Sequence, residues 1–342
     1  MSLIFMDGFD HYSDLGTNYD YQNANNFIVT GHARTGLYCL YLSSYAYGPA
    51  RNILDTSDCL VATCCNCTIG GNIMQLGTFG AGAGLSNFAQ GGVVILVANG
   101  DGSISVTGGV SRANQVFGTS AAGLVRFGVY NSFAMRTTVG ASARTRVYVN
   151  GTLVLDLNGY DNRNLVAPAR TTINCFMLMA PPGNLFADCY HDDVYVLDCG
   201  TPPNDGYLGA LRIYTGVPDA DGAVQWAPSL GAANFANVDS IPPNQATEFN
   251  SSGTSGQADQ YRYPLPSLPG GSQIFAVQHC QDVQVDSGSQ SVTSDVGGVV
   301  SPSAVNPGNG WQFYTWPYDV NPVTGSPWAL SDFPAYAGPR IP

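Results

Sequence analysis

The sequence predicts an all-β protein: a jelly-roll sandwich, then a loop-rich connection, then a smaller β domain. The first observation is the choice of charged residues, because all twelve basic residues are arginine and the acidic ones are 23 aspartates and a single glutamate, Glu248. Lysine and glutamate normally fill exposed helix positions, so few helices are expected. The second observation is a content of 41 glycines, 21 prolines and 19 tyrosines, which favours turns and pleated strands.

The third observation is a succession of strand patterns without helical periodicity between them. Residues 93–98 (VVILVA) are continuously apolar and predict a central strand, and the following Asn-Gly-Asp-Gly predicts a hairpin. Asn150-Gly151 separates two alternating strands and predicts a type I′ turn, which needs positive φ at both positions. The predicted strands of this part lie at 3–9, 36–42, 93–98, 103–107, 124–130, 133–139, the two arms of 144–157, 172–180 and 192–197.

The composition changes after Asp198, which indicates a domain boundary there. Residues 1–198 are predicted to form the jelly roll. Residues 199–260 are rich in Pro, Gly, Asn and Ser and are predicted to be a loop-rich connection or arm, although 207–215 resemble a strand. Strand patterns resume at 273–277, 282–285 and 311–318, so residues 261–342 are predicted to be a small C-terminal β domain.

Some stretches resemble known families. Residues 146–159 (RVYVNGTLVLDLNG) and 191–198 (HDDVYVLD) resemble late strands of concanavalin A-like lectin/glucanase and laminin-G-like jelly rolls. Residues 192–198 (DDVYVLD), with FMDGFDHY at 5–12, the segment 207–244 and VNPVTGSPW at 320–328, resemble a group of structural proteins of tailed-bacteriophage virions. That resemblance implies a virion protein made in the host cytoplasm, without catalytic or binding residues to transfer.

Charge and hydropathy exclude several partners. The formal net charge of −12 disfavours nucleic acid, whose binding depends on cationic side chains. The first residues carry no basic region and only a short apolar run, which predicts no secretory leader, and no apolar stretch approaches the roughly 20 residues of a membrane span. We therefore expect neither nucleic-acid nor membrane partners.

Glycoside hydrolysis, a common activity of this fold, needs two carboxyl groups flanking the scissile bond. The chain has one glutamate, Glu248, in the loop-rich connection. Asp192 and Asp193 are adjacent in a predicted strand, so alternation predicts that they point to opposite faces and do not act together. The four histidines are scattered at positions 11, 32, 191 and 279 and match no hydrolase motif. The sequence thus predicts no catalytic residues and no cofactor.

Cysteine is the least ordinary component. Cys59, Cys64, Cys65 and Cys67 lie within nine residues and could bind zinc, but the second Cys-x₂₋₄-Cys pair that structural zinc sites use is missing. The alternatives are buried thiols packed as small apolar groups, or disulfides formed once a particle leaves the reducing cytosol, which we favour. The disulfide candidates are all nine: Cys39, Cys59, Cys64, Cys65, Cys67, Cys175, Cys189, Cys199 and Cys280.

Aromatic residues in polar stretches are candidates for stacking on sugars. These are Tyr19, Tyr21, Tyr45, Tyr47 and Trp226, although most tyrosines of a β protein serve strand packing. The sequence therefore predicts a non-enzymatic virion structural protein on the particle exterior, as a head decoration, neck or tail component. Its expected partners are other virion proteins and further copies of itself, a trimer included. The alternative is a lectin-like receptor-binding module that recognises host glycans.

Overall fold

A computed structural model of the chain describes residues 2–12, 14–22, 26–43, 48–77, 92–109, 115–163, 171–180, 188–200, 202–204, 206–231, 233–286 and 288–342. Two compact units form: a first unit of Met1–Phe9 with Asp14–Ile213, and a second unit of Asp10–Ser13 with Tyr214–Pro342. Residues 199–213 thus pack with the first unit and 214–260 with the second, whereas the composition suggested boundaries at 198 and 260.

The first unit is a sandwich of two antiparallel sheets. Its strands are β1 Leu3–Asp7, β2 Asn26–Thr30, β3 Tyr38–Ser43, β4 Ala50–Thr56, β5 Asp58–Cys67, β6 Gly71–Gly77, β7 Gly92–Ala98, β8 Ile104–Gly108, β9 Val116–Thr119, β10 Tyr130–Thr138, β11 Ala143–Val149, β12 Thr152–Tyr160, β13 Ile173–Leu178 and β14 Asp188–Asp198. The eight-stranded sheet has the order β12-β11-β10-β5-β14-β3-β2, with β1 also paired to β14, and the six-stranded sheet has the order β4-β13-β6-β7-β8-β9.

The core lies between these sheets. The Phe5 ring on β1 packs 5.6 Å from the Phe176 ring on β13, and both side chains are fully buried. The face of the eight-stranded sheet that meets the six-stranded sheet is called the inner face, and the opposite one the outer face. Burial of this apolar surface supplies the main stabilisation of the unit, at roughly 25 cal/mol per Å².

The second unit is also built from strands. They are β15 Ala220–Asp221, β16 Ala227–Pro228, β17 Asn250–Ser251, β18 Tyr261–Tyr263, β19 Val277–Val283, β20 Thr293–Val296, β21 Val299–Val300, β22 Gln312–Tyr318 and β23 Ala335–Arg340. A five-stranded sheet has the order β15-β18-β23-β20-β21, and β16-β17 and β19-β22 form two further pairs. The helices described in the chain are short 3-10 turns at Leu15–Thr17, Asn234–Asn237 and Leu330–Asp332.

The predicted fold class is confirmed, with differences in single elements. Asn150 and Gly151 both have positive φ, 48° and 85°, as the type I′ turn between β11 and β12 requires. No strand forms at 124–129, because the backbone N–H groups of Leu124 and Val125 both donate to the Gly102 carbonyl in a turn. Residues 207–215 form no strand. Within the described residues, no helix is long and apolar enough to cross a membrane.

Candidate functional site

A row of aromatic side chains crosses the outer face of the eight-stranded sheet. Phe27 on β2 pairs in register with Tyr41 on β3, and Tyr41 pairs with Tyr190 on β14. Tyr190 pairs with Asn66 on β5, which pairs with Tyr130 on β10. Directly opposed residues of neighbouring strands share a face, so these five side chains form one rung about 19 Å long across five strands. We call Phe27, Tyr41, Tyr190 and Tyr130 the aromatic row.

Three rings of the row lie side by side and are partly open to solvent. The Phe27 and Tyr41 centroids are 6.4 Å apart with nearly parallel planes, and the Tyr41 and Tyr190 centroids are 5.2 Å apart. The exposed imidazole of His32 stacks on Tyr190 at 4.3 Å. Phe27 keeps 48% of its surface exposed, which is unusual for phenylalanine in a strand. The outer face therefore presents apolar ring surface to solvent at this rung.

The phenol groups of the row are held as hydrogen-bond donors. Tyr41 donates to Asp188 Oδ1 at 2.7 Å, and burial together with that hydrogen bond raises the pKa of Tyr41 to about 12. Tyr130 donates to the His32 carbonyl at 2.7 Å, and burial raises its pKa as well. Burial and the Asp188 charge raise the pKa of Tyr190. At neutral pH these hydroxyls are protonated; those of Tyr41 and Tyr130 donate within the protein, so toward a ligand they present acceptor oxygens.

Asp192 and Asp193 do not point to opposite faces, which corrects the sequence prediction. β14 pairs with β3 through Asp188–His191 and with β1 through Val194–Leu197, and its register with β5 shifts between Asp192 and Tyr195. Asp193 has φ 51°, in the left-handed region that aspartate tolerates better than most residues. The extra residue of this β-bulge breaks the alternation and turns both carboxyl groups toward the same loop.

The two carboxyl groups and residues 34–35 form a buried clamp, which we call the acid clamp: Asp192, Asp193, Arg34 and Thr35. Asp192 Oδ2 accepts from the backbone N–H groups of Arg34 at 2.7 Å and Thr35 at 3.0 Å. Asp193 Oδ2 accepts from the Thr35 hydroxyl at 3.1 Å and from the Arg34 guanidinium. Its Oδ1 accepts from the Ile213 N–H at 2.7 Å. The clamp fixes the loop that carries His32.

Burial is the largest influence on the pKa of both carboxyl groups in the clamp. Desolvation, with the Asp193 charge beside it, raises the pKa of Asp192 to about 8. Burial also raises the pKa of Asp193, against the hydrogen bond from Ile213 and the Arg34 charge. All four carboxyl oxygens have partners, since Asp192 Oδ1 accepts from the Asp193 N–H at 2.8 Å. The clamp is therefore satisfied internally and positions the loop rather than presenting a free acid.

A second cluster lies on the inner face. The Sγ atoms of Cys65, Cys67 and Cys189 are 2.9 to 3.2 Å from one another. His191 Nε2 lies 3.5 Å from Cys189 Sγ, 3.8 Å from Cys65 Sγ and 2.9 Å from the Met179 carbonyl oxygen. We call Cys65, Cys67, Cys189 and His191 the thiol–imidazole cluster. Each of its side chains is at most 4% exposed.

The pKa shifts of the residues in the cluster differ in direction. Hydrogen bonds from Cys189 and Cys65 hold the pKa of Cys67 well below its usual value, whereas burial raises the pKa of Cys65 and of Cys189. Burial also lowers the pKa of His191. The cluster therefore combines three sulfur donors with an imidazole, which are ligand types that zinc binds.

The structure does not bring the four clustered cysteines of the sequence together. β5 is regular in its pairing with β10, so Cys59, Cys65 and Cys67 face inward while Cys64 faces outward, near Arg34. Cys59 lies six residues from Cys65, close to Cys175 and Cys199. The disulfides expected among the nine cysteines remain a prediction from the sequence. Eight of these cysteines are buried, and Cys280 is half-buried.

The residues proposed from sequence for sugar stacking lie elsewhere. Tyr19 is 3% exposed and packs against Phe5 and Phe176 in the core, so it cannot form an exposed platform. Tyr21 is partly buried against the core. Trp226 is half-buried in the second unit. Tyr45 and Tyr47 lie outside the described residues.

No protein-family model matches the chain, and no curated protein matches it. Some solved structures are similar to about half of it. An endo-β-1,4-glucuronan lyase from Trichoderma reesei has a TM-score of 0.36 and 14% identity, over 56% of this chain and 94% of that one. An alginate lyase from Chlorella virus has a TM-score of 0.35 and 10% identity, over 54% and 94%. The T. cruzi calreticulin globular domain has a TM-score of 0.36 and 10% identity, over 57% and 88%. At these identities the likeness concerns the fold.

These comparisons correct the functional expectation. The similar solved structures described above include two polysaccharide lyases. The prediction of a non-enzymatic virion structural protein, with a lectin-like receptor-binding module as its alternative, is therefore wrong, and so is the prediction that the chain is not an enzyme. The resemblance to phage virion families, the virion location and the partners expected there remain predictions from the sequence.

Proposed function

We propose that the protein is a carbohydrate-processing enzyme whose polysaccharide substrate lies along the aromatic row. The observation that carries the proposal is the alignment of Phe27, Tyr41, Tyr190 and Tyr130 in one rung of an open sheet face. A rung of about 19 Å accommodates several sugar units of an extended chain. The apolar faces of sugar rings pack on aromatic rings, and tyrosine adds a polar hydroxyl at the edge.

Groups able to exchange protons lie beside the row. His32 stacks on Tyr190 and is exposed, and histidine is the most frequent general acid or base in enzymes. Tyr41 is oriented by its hydrogen bond to Asp188 and keeps its proton at neutral pH. We assign His32 the transfer of a proton at the reacting sugar, and the Tyr41–Asp188 pair the orientation of that sugar. The acid clamp holds the His32 loop in place.

A screen of polysaccharides tests this proposal. The full chain is incubated with neutral polymers and with uronate polymers, and new reducing ends are counted. Hydrolysis and elimination both create reducing ends, while ultraviolet absorbance of an unsaturated sugar marks elimination alone. We expect at least one polymer to be cleaved by the wild type, and cleavage to be lost on heat denaturation. Absence of new ends from every polymer, including any polymer that binds, contradicts the proposal.

A further inference from the structure

The thiol–imidazole cluster combines two short pairs of donors from neighbouring strands. Cys65 and Cys67 are two residues apart on β5, and Cys189 and His191 are two residues apart on β14. In register, Cys67 is opposite Cys189 and Cys65 is opposite His191, so the four side chains form a square on the inner face. Cys189-x-His191 supplies the second pair of ligands that the cysteine-rich stretch lacks by itself.

Strand geometry brings the facing side chains close together. The Thr68 N–H donates to the Asp188 carbonyl at 3.1 Å, so the adjacent Cys67 and Cys189 occupy a non-hydrogen-bonded position of the ladder. Side chains approach more closely at such positions. The square is also closed to solvent, since Cys65, Cys189 and His191 are 0% exposed. Closed sites with four protein ligands are typical of structural zinc.

We propose that Cys65, Cys67, Cys189 and His191 bind one zinc ion that staples β5 to β14. Tetrahedral zinc with Zn–S of about 2.3 Å and Zn–N of about 2.0 Å separates sulfur from nitrogen by about 3.6 Å and sulfur from sulfur by about 3.8 Å. The Sγ–Nε2 distances of 3.5 Å from Cys189 and 3.8 Å from Cys65 match, whereas the imidazole lies outside the group of three sulfurs that are all within 4.8 Å of one another, so it must move toward Cys67 Sγ when zinc binds. The Sγ–Sγ distances of 2.9 to 3.2 Å require an opening of less than about 1 Å to reach the tetrahedral value.

Zinc binding is accompanied by the release of protons from the thiols. The three thiols become thiolates and release the protons that they still carry to solvent, and the imidazole binds in its neutral form through Nε2. His191 Nε2 then binds the metal instead of the Met179 carbonyl oxygen. The ring proton is carried by Nδ1, which lies 3.3 Å from the Thr63 hydroxyl oxygen. Such a hydrogen bond to the second ring nitrogen is usual for metal-binding histidines and fixes the tautomer.

A single disulfide explains less of this arrangement. It would join two of the three sulfurs and would not account for the third sulfur and the imidazole beside them. A disulfide also needs an oxidant to reach sulfur atoms that the fold closes off, whereas zinc is bound while the chain folds. The two proposals predict a different mass and a different metal content for the protein, so measuring both quantities distinguishes them.

Metal analysis of the full chain tests the site. The protein, without a polyhistidine tag, is purified from zinc-supplemented medium, and its zinc is measured by plasma mass spectrometry. We expect one zinc ion per wild-type chain. The zinc content should fall at least tenfold in Cys67→Ser and in Cys189→Ser, and two control variants should keep one zinc ion per chain. Cys64→Ser changes the opposite face of the same strand, and Cys280→Ser changes the second unit.

Cobalt(II) provides a readout that does not depend on a variant that folds. Wild-type chain refolded with cobalt in place of zinc is expected to show thiolate-to-cobalt charge transfer and intense tetrahedral d–d bands. Zinc-free protein in which all nine cysteines are alkylated after denaturation without reductant would overturn the proposal. A mass two hydrogens lower with seven cysteines alkylated would overturn it in favour of one disulfide.

Discussion

Asp192 and Asp193, although adjacent in one strand, direct their carboxyl groups to the same residue, Thr35. Asp192 accepts from its N–H at 3.0 Å and Asp193 from its hydroxyl at 3.1 Å. The β-bulge that makes this possible also holds the loop of His32 against the outer face. The candidate site therefore depends on a local irregularity of β14.

The Thr35 hydroxyl is expected to stabilise the first unit. Thr35→Val keeps the shape of the side chain but leaves Asp193 Oδ2 without this donor in a buried place. We expect a loss of about 1–3 kcal/mol in the free energy of unfolding, measured by denaturant titration. Thr30→Val, on the exposed end of β2, is the matched control and should change little. Equal stabilities of the two variants would show that the Thr35 hydroxyl contributes nothing to stability.

Stability should fall as the pH rises through the range in which Asp192 ionises. Its pKa is about 8 in the folded chain, above the ordinary aspartate value of about 3.9 in the unfolded chain. The folded state thus binds more protons between these values, and the stabilisation present below pH 4 is lost by pH 8. Thermal midpoints of wild type should decrease relative to Asp192→Asn across this window. Parallel curves for the two proteins would contradict the assignment.

The turn between β11 and β12 requires glycine at Gly151. Its φ is 85°, and a Cβ there would meet no other atom, so the cost of Gly151→Ala is conformational. We expect a loss of about 1–2 kcal/mol in the free energy of unfolding. Gly100→Ala is the matched control, because Gly100 is a turn glycine without positive φ and with equally open surroundings. A similar stability of both variants would contradict the prediction.

Features formed by residues that are close together in the sequence can be predicted from it, whereas features that join distant strands cannot. Asn150-Gly151 is a local signal, so the hairpin was predictable. The thiol–imidazole cluster joins Cys67 to Cys189, which lie 122 residues apart, and it requires the pairing of β5 with β14. The aromatic row likewise needs the strand order β2-β3-β14-β5-β10. A bulge is not visible in an alternation pattern, which is why Asp192 and Asp193 were placed on opposite faces.

Salt should distinguish charged from neutral substrates. The chain carries a formal net charge of −12, which repels an anionic polymer at long range. Salt screens such repulsion beyond about 10 Å at 0.1 M. We expect KM for a uronate polymer to fall when sodium chloride is raised from low to physiological concentration, and KM for a neutral polymer to stay constant. A KM for the uronate polymer that rises with salt would contradict this prediction.

His32 should affect turnover more than binding. His32→Gln keeps a polar planar side chain but removes the imidazole. If His32 transfers a proton at the reacting sugar, kcat falls by about 10²- to 10⁴-fold while KM changes little. A variant in which only KM rises would place His32 in binding alone.

The most direct measurement compares kcat/KM for polysaccharide cleavage in wild type, Tyr190→Ala and Leu54→Ala. Tyr190 lies at the centre of the aromatic row, whereas Leu54 is 79% exposed on β4 of the other sheet. The account predicts that Tyr190→Ala lowers kcat/KM at least tenfold and that Leu54→Ala leaves it unchanged. Cleavage by Tyr190→Ala at the wild-type rate, with both variants folded by circular dichroism, would contradict it.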